Sequence, residues 1–140
     1  MPRSRSAFFL ILSGLLLRLA IAPLGGHPGD LATLARWADA LPTPLSLSGI
    51  YLTTDANYPP LTLALLAGSR ALAGSTHGPL WLMLLKSPAI LADGGIGWLV
   101  WRLVRRKSGG LWPVACIAFN PALIYLSAWW GQYESVYALP

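Results

Sequence analysis

Asp30 and Trp37 sit seven residues apart, directly behind an apolar run of eighteen residues. Positions one heptad apart drift by only about 20° around a helix, so the carboxylate and the indole share a face. If the apolar run crosses a bilayer, the sequence sets an ionisable oxygen on a short helix at the membrane surface. Such a group can accept or return a substrate proton. Other chemistries lack their signatures. There is no Cys/His cluster with metal spacing, no Gly-x-Ser-x-Gly elbow, no Walker loop and no dinucleotide fingerprint. His27 and His77 are isolated and read as solvated loop residues. No cofactor is expected and no ligand cluster argues for a metal, although that does not settle metal dependence; acid–base chemistry by a carboxylate remains. Asp30 has a second reading as the N-cap of its helix.

The chain that positions this carboxylate has 140 residues, 55% of them hydrophobic and 11% charged. Mean hydropathy is +0.56. A soluble domain carries roughly 25% charged residues, so this chain is short of solvating surface. Seven Trp, twelve Pro and fourteen Gly suit membrane helices with aromatic belts and irregular connections. The fold class expected is an all-α integral membrane protein: a multi-span helical bundle with interfacial helices in its first external loop. The net charge of +5 does not indicate nucleic acid. Arg3 and Arg5 precede the first apolar run, and Arg102, Arg105, Arg106 and Lys107 close a later one, which is the positive-inside pattern. The lone Cys116 carries no redox information.

Residues 7–24 form a first span, with the N-terminus cytoplasmic and Arg18 as its one charge. A signal peptide fits less well, because the run is long and no small-x-small cleavage pattern follows. Residues 25–79 are then external, with Arg36 and Arg70 against Asp30, Asp39 and Asp55. Within them, residues 31–41 read as a helix ended by Pro42 and Pro44, and residues 49–58 as loop. Pro59 and Pro60 pre-set the first turn of a second helix, residues 60–73. Its short apolar run suits the membrane interface better than a crossing. Charge agrees, since a crossing there would leave Arg105, Arg106 and Lys107 outside.

A second span over residues 80–104 carries Lys86 and Asp93, again seven apart. Ionisable groups inside a span face a protein interior or a wet cavity; Lys86 also has the option of snorkelling to outer headgroups. The third span, residues 111–130, places Asn120 at the depth of Asp93, where a hydrogen bond between the two would satisfy both. It ends in Trp129-Trp130-Gly131-Gln132-Tyr133-Glu134-Ser135, an aromatic belt followed by polar groups. In this topology Asp30, Tyr58, Lys86, Gln132 and Glu134 converge near one membrane face. The ending at Ala138-Leu139-Pro140 reads as a cut in a longer chain.

Four motifs in this order resemble a known family. Gly29-Asp30 with Trp37, Tyr58-Pro59-Pro60-Leu61-Thr62, Ala92-Asp93, and Asn120-Pro121 through Gly131-Gln132-Tyr133-Glu134-Ser135 are similar to the N-terminal third of GT-C superfamily glycosyltransferases. The nearest likeness is to polyprenyl- or dolichyl-phosphate-sugar-dependent hexosyltransferases, including the glucosyltransferases of the N-glycan pathway and bacterial relatives. The run Trp-Gly-Gln-Tyr-Glu is closer to the bacterial members than to the His-Phe-Gln-Tyr-Asn-like eukaryotic run. Residues 1–140 would then be the N-terminal part of a GT-C-like transmembrane domain, lacking the later spans and inactive as a fragment.

The resemblance implies that Asp30 is the general base for an extracytoplasmic acceptor hydroxyl. The resulting oxygen attacks the anomeric carbon of a polyprenyl-phosphate-linked hexose, usually with inversion. A positioned base contributes about 10²–10⁴-fold. Arg18 and Lys86 are candidates by position for the leaving phosphate, although the resemblance does not assign them. Trp37, Tyr58, Gln132 and Glu134 complete the expected substrate-binding set; Pro59, Pro60, Asp93 and Asn120 are expected to be structural. Expected partners are the lipid-linked sugar, a glycan or lipid-linked acceptor and membrane lipids, in a bacterial inner (plasma) membrane. Two alternatives stand: a transporter or flippase for a lipid-linked or anionic substrate, motivated by Lys86 and Asp93, and a non-catalytic membrane subunit.

Overall fold

Leu, Ile and Phe fill the first apolar run, and no proline interrupts it before residue 23. It accordingly forms one helix, α1 (Pro2–Ile21), that tightens into a 3-10 turn at Ala22–Leu24. Gly25, with φ of 132°, then turns the chain out of the helix. The computed structural model describes residues 2–41, 47–106 and 110–139. Among these, all regular structure is helical: α2 (Pro28–Ala40), α3 (Leu47–Thr53), α4 (Pro60–Ala73), α5 (Gly78–Arg105), α6 (Trp112–Ala118), α7 (Pro121–Ile124), a π-type segment (Tyr125–Trp130) and α8 (Glu134–Ala138). Three stretches are long and apolar enough to cross a membrane: Ser4–Leu24, Gly78–Arg105 and Trp112–Trp130.

Helix α5 is the spine. It runs antiparallel to α1, as Ile11 lies beside Gly97, Leu15 beside Gly94 and Arg18 beside Asp93. Pro88 lies inside α5 without ending it. A proline lacks the donor that would reach the carbonyl four residues back, here Leu84. That carbonyl instead accepts Ser87 Oγ at 2.9 Å and, from α4, Ser69 Oγ at 3.1 Å. Serine hydroxyls thus restore the bond that proline removes, as apolar surroundings demand. The same bond ties α4 to α5.

The third of these apolar stretches is broken. Pro121 has no N–H to offer, and Asn120 (φ −63°, ψ 117°) leaves the helix, so α6 stops at Ala118. Asn120 Oδ1 caps α7 by accepting from Ala122 N at 2.9 Å and Leu123 N at 3.3 Å. The carbonyls left at the end of α6, Ile117 and Ala118, both accept from the Arg18 guanidinium. Cations suit helix C-termini, where unpaired carbonyls concentrate negative charge. Lys86 repeats the device: its Nζ donates to the Ala22 carbonyl at 2.8 Å and to that of Gly25, closing the end of the first apolar stretch.

Several expectations change. The expected Asn120–Asp93 bond gives way to the cap on α7, because a broken helix offers closer donors. Lys86 does not snorkel; it is fully buried. Helix α2 begins three residues earlier than expected, as Pro28 fits the first helical position, which makes His27 rather than Asp30 the N-cap. Residues expected as loop between Gly49 and Thr53 belong to α3, whose buried Ile50 joins the core under α2 and α4. Pro42 and Pro44 lie outside the described residues, but α2 ends at Ala40 with Leu41 extended.

Candidate functional site around Asp30

Asp30 occupies the third position of α2, where the exposed N–H groups of a first turn favour a carboxylate. Two donors hold it, both from the end of the third apolar stretch. Trp130 Nε1 and Gln132 Nε2 (3.2 Å) donate to Oδ2. Oδ1 lies 3.5 Å from His27 Nδ1, and the His27 ring is tilted over Trp130 with centroids 5.8 Å apart. The carboxylate keeps 40% of its surface open. It is oriented, yet still reachable.

Close backbone approach makes this meeting possible. A Cβ on Gly26 would fall 2.6 Å from the Trp129 carbonyl and 3.1 Å from Leu31. No larger residue fits without moving that carbonyl. The loop before α2 therefore lies directly on the end of the third apolar stretch, bringing Asp30 to Trp130.

The relay continues through Gln132. Tyr58 OH donates to Gln132 Oε1 at 3.0 Å, so the amide must turn its Nε2 toward Asp30. Burial, reinforced by the negative charges of Glu134 and Asp30, pushes the Tyr58 phenol above its usual range. Tyr58 thus remains a donor. Its ring meets Trp37 edge-on at 5.5 Å.

Asp30 opens onto a cleft of about 320 Å³ lined by Thr33, Leu34, Trp37, Asp55, Asn57 and Tyr58. Asp30 and Trp37 do share this wall. Trp37 is nevertheless a core residue, only 5% exposed, and its Nε1 donates to Asp55 Oδ1 at 2.9 Å. That bond, with Arg36 alongside at 2.9 Å, holds the Asp55 carboxyl below the usual range. The lining is rich in oxygen and amide groups beside aromatic rings, which suits an uncharged, hydroxyl-bearing ligand.

The remaining expected residues separate by role. Gln132 and Tyr58 touch the site, and exposed Glu134 opens α8 close enough for Tyr58 to feel its charge. Arg18, expected near a leaving phosphate, is 1% exposed and donates Nε to Asp93 Oδ2 at 2.8 Å. Lys86 lies beneath the loop, on the Ala22 and Gly25 carbonyls. Pro59 and Pro60 open α4, and Asn120 caps α7. Trp130 was read as an aromatic belt, and its role on Asp30 went unseen. The available signal was two side-chain donors flanking a glycine, Trp130-Gly131-Gln132, a spacing that can place both on one acceptor. Asp55 and Asn57 carried no such signal. Among the described residues, no group of three or more His, Cys, Asp or Glu side chains is arranged to hold a metal ion. The chain matches no protein family, no curated protein and no solved structure.

Proposed function

We propose that Asp30 is the general base of a GT-C-type membrane glycosyltransferase that moves a hexose from a polyprenyl-phosphate donor to an extracytoplasmic hydroxyl acceptor. The observation that carries this reading is a part-exposed carboxylate held by two side-chain donors at the mouth of a cleft built for hydroxyl groups. The acceptor O–H loses its proton to Asp30 as its oxygen bonds to the anomeric carbon. The bond from that carbon to the phosphate oxygen breaks, and the lipid phosphate leaves with the electron pair. The acceptor hydroxyl becomes strongly acidic only as the new bond forms, so a fixed base helps most at the transition state. The cleft takes the acceptor, since its carboxylates would repel a phosphate.

The transport alternative rested on Lys86 and Asp93. Both are buried and fully engaged with partners inside the bundle, whereas Asp30 is open to ligand. Asp30→Asn in the full-length protein tests the proposal with radiolabelled polyprenyl-phosphate-hexose and acceptor. Transfer is expected to fall about 10²-fold or more, with membrane insertion and folding intact. Undiminished transfer in that variant removes Asp30 from the mechanism.

A further inference from the structure

The two donors on Asp30 stand on a single short segment, residues 130–132, and that segment is fastened at both flanks to one buried group. Ser127 Oγ donates to Asp93 Oδ2 at 2.7 Å, and Ser135 Oγ donates to Asp93 Oδ1. Ser127 precedes Trp130 and Ser135 follows Gln132, so one carboxylate closes the stretch between them into a loop. Asp93 is 4% exposed, and its Oδ2 also accepts Arg18 Nε at 2.8 Å.

The middle of the loop rests on the same helix. Gly131, with φ of 86°, lies over the methylenes of Lys86: a Cβ there would fall 3.3 Å from Lys86 Cγ. Tyr133 OH donates to the Leu85 carbonyl at 2.7 Å. Lys86 and Asp93, seven apart, return to within about 20° of one another on α5, and Leu85 stands one position before Lys86. Buried, charge-assisted hydrogen bonds are short and directional, and this template holds the loop at three points.

We propose that Asp93 is a positioning residue: by holding Ser127 and Ser135, it fixes the Trp130 and Gln132 donors that orient Asp30. Arg18 Nε and the Ser127 hydroxyl donate to Asp93 Oδ2 and the Ser135 hydroxyl to Oδ1, so both oxygens accept. Asp93 touches nothing at the cleft and acts only through the loop. The catalytic consequence rests on the proposed role of Asp30; the geometric consequence does not.

The test uses the double variant Ser127→Ala/Ser135→Ala, which removes both anchors and leaves the Arg18–Asp93 pair intact for folding. The full-length protein is labelled with 5-fluorotryptophan, and the Trp130 resonance is assigned by its loss in Trp130→Phe. In the double variant the Trp130 ¹⁹F signal is expected to move toward its position in Asp30→Ala, where the acceptor is gone. In the transfer assay kcat is expected to fall about tenfold or more, as sub-ångström misplacement near a reacting group does, while the KM for the lipid donor stays within about twofold. A Trp130 signal coincident with wild type overturns the positioning role, because a purely structural contribution would lower the folded fraction without shifting the folded signal. A shifted signal supports it even if Asp30→Asn retains transfer, in which case the functional reading alone fails.

Discussion

The Tyr58 hydroxyl meets the Gln132 side-chain oxygen at 3.0 Å across 74 residues of sequence. That contact decides which end of the Gln132 amide faces Asp30. It joins the loop before α4 to the end of the third apolar stretch, and the candidate site exists only where they touch.

Removing the hydroxyl leaves Gln132 free to rotate. Tyr58→Phe keeps the ring against Trp37 and deletes one hydrogen bond, worth about 1 kcal/mol. Transfer is expected to drop about fivefold, and Gln132→Leu, which deletes a direct donor to Asp30, is expected to drop further. Steady-state kinetics on the two variants and their combination checks the order. If the double variant loses the full product of both effects, the two residues act independently and the relay is wrong.

Arg18 and Asp93 form a buried ion pair that also closes the end of α6. Arg18→Met leaves the buried Asp93 carboxyl without its cationic partner and is expected to destabilise the bundle by about 3 kcal/mol or more. Arg18→Met/Asp93→Asn removes both charges and is expected to recover part of that loss. The recovery is incomplete, because the Ile117 and Ala118 carbonyls lose their donor. Unfolding curves in mild detergent with added denaturant give the comparison.

At Gly14, α1 packs closely against the end of α6. A Cβ there would stand 2.6 Å from the Ala118 carbonyl oxygen, which cannot yield without moving the backbone. Small residues at such crossings permit the contact that holds membrane helices together. Gly14→Ala is expected to destabilise by about 1–3 kcal/mol. Because Ala118 also accepts from Arg18, the variant is expected to loosen the Arg18–Asp93 pair, read as faster hydrogen exchange of the backbone amides at the end of α6.

Asp39 gives a pH dependence. Arg70 Nε donates to Asp39 Oδ1 at 2.8 Å and Thr76 Oγ1 to Oδ2 at 2.9 Å, linking α2 to the end of α4 and the turn after it. The Arg70 hydrogen bond is the main cause that holds the Asp39 carboxyl below its ordinary 3.8. A carboxyl whose folded value lies below its unfolded value stabilises the protein above 3.8, and that contribution is lost as pH falls from there through the folded value. The pair is half exposed, so Asp39→Asn is expected to lose less than about 1 kcal/mol at neutral pH. The gap between wild-type and variant unfolding curves is expected to close on acidification below 3.8.

Periodicity and composition were enough to locate the three long apolar stretches and the Pro60–Ala73 helix, since long hydrophobic runs have few alternatives and Pro59-Pro60 pre-sets a first helical turn. Asp30 and Trp37 on one wall also followed from spacing alone, because a heptad fixes angle on a helix wherever that helix docks. Local patterns failed where a long-range partner settled the matter. Asn120 and Asp93 share a depth, yet each found its hydrogen bonds elsewhere: Asn120 within its own broken helix, and Asp93 with Arg18, Ser127 and Ser135. Residues 47–53 look like a loop until Ile50 has a core to enter.

The sequence by itself determined the helical, membrane-suited class of this chain and the short helix bearing Asp30, because hydropathy and helical angle are local properties. Only the tertiary structure decided which groups hold Asp30 and which bury Arg18 and Lys86. Hydrogen bonds in an apolar interior go to whichever partner the packed helices bring within 3 Å, and no spacing along the chain records that distance.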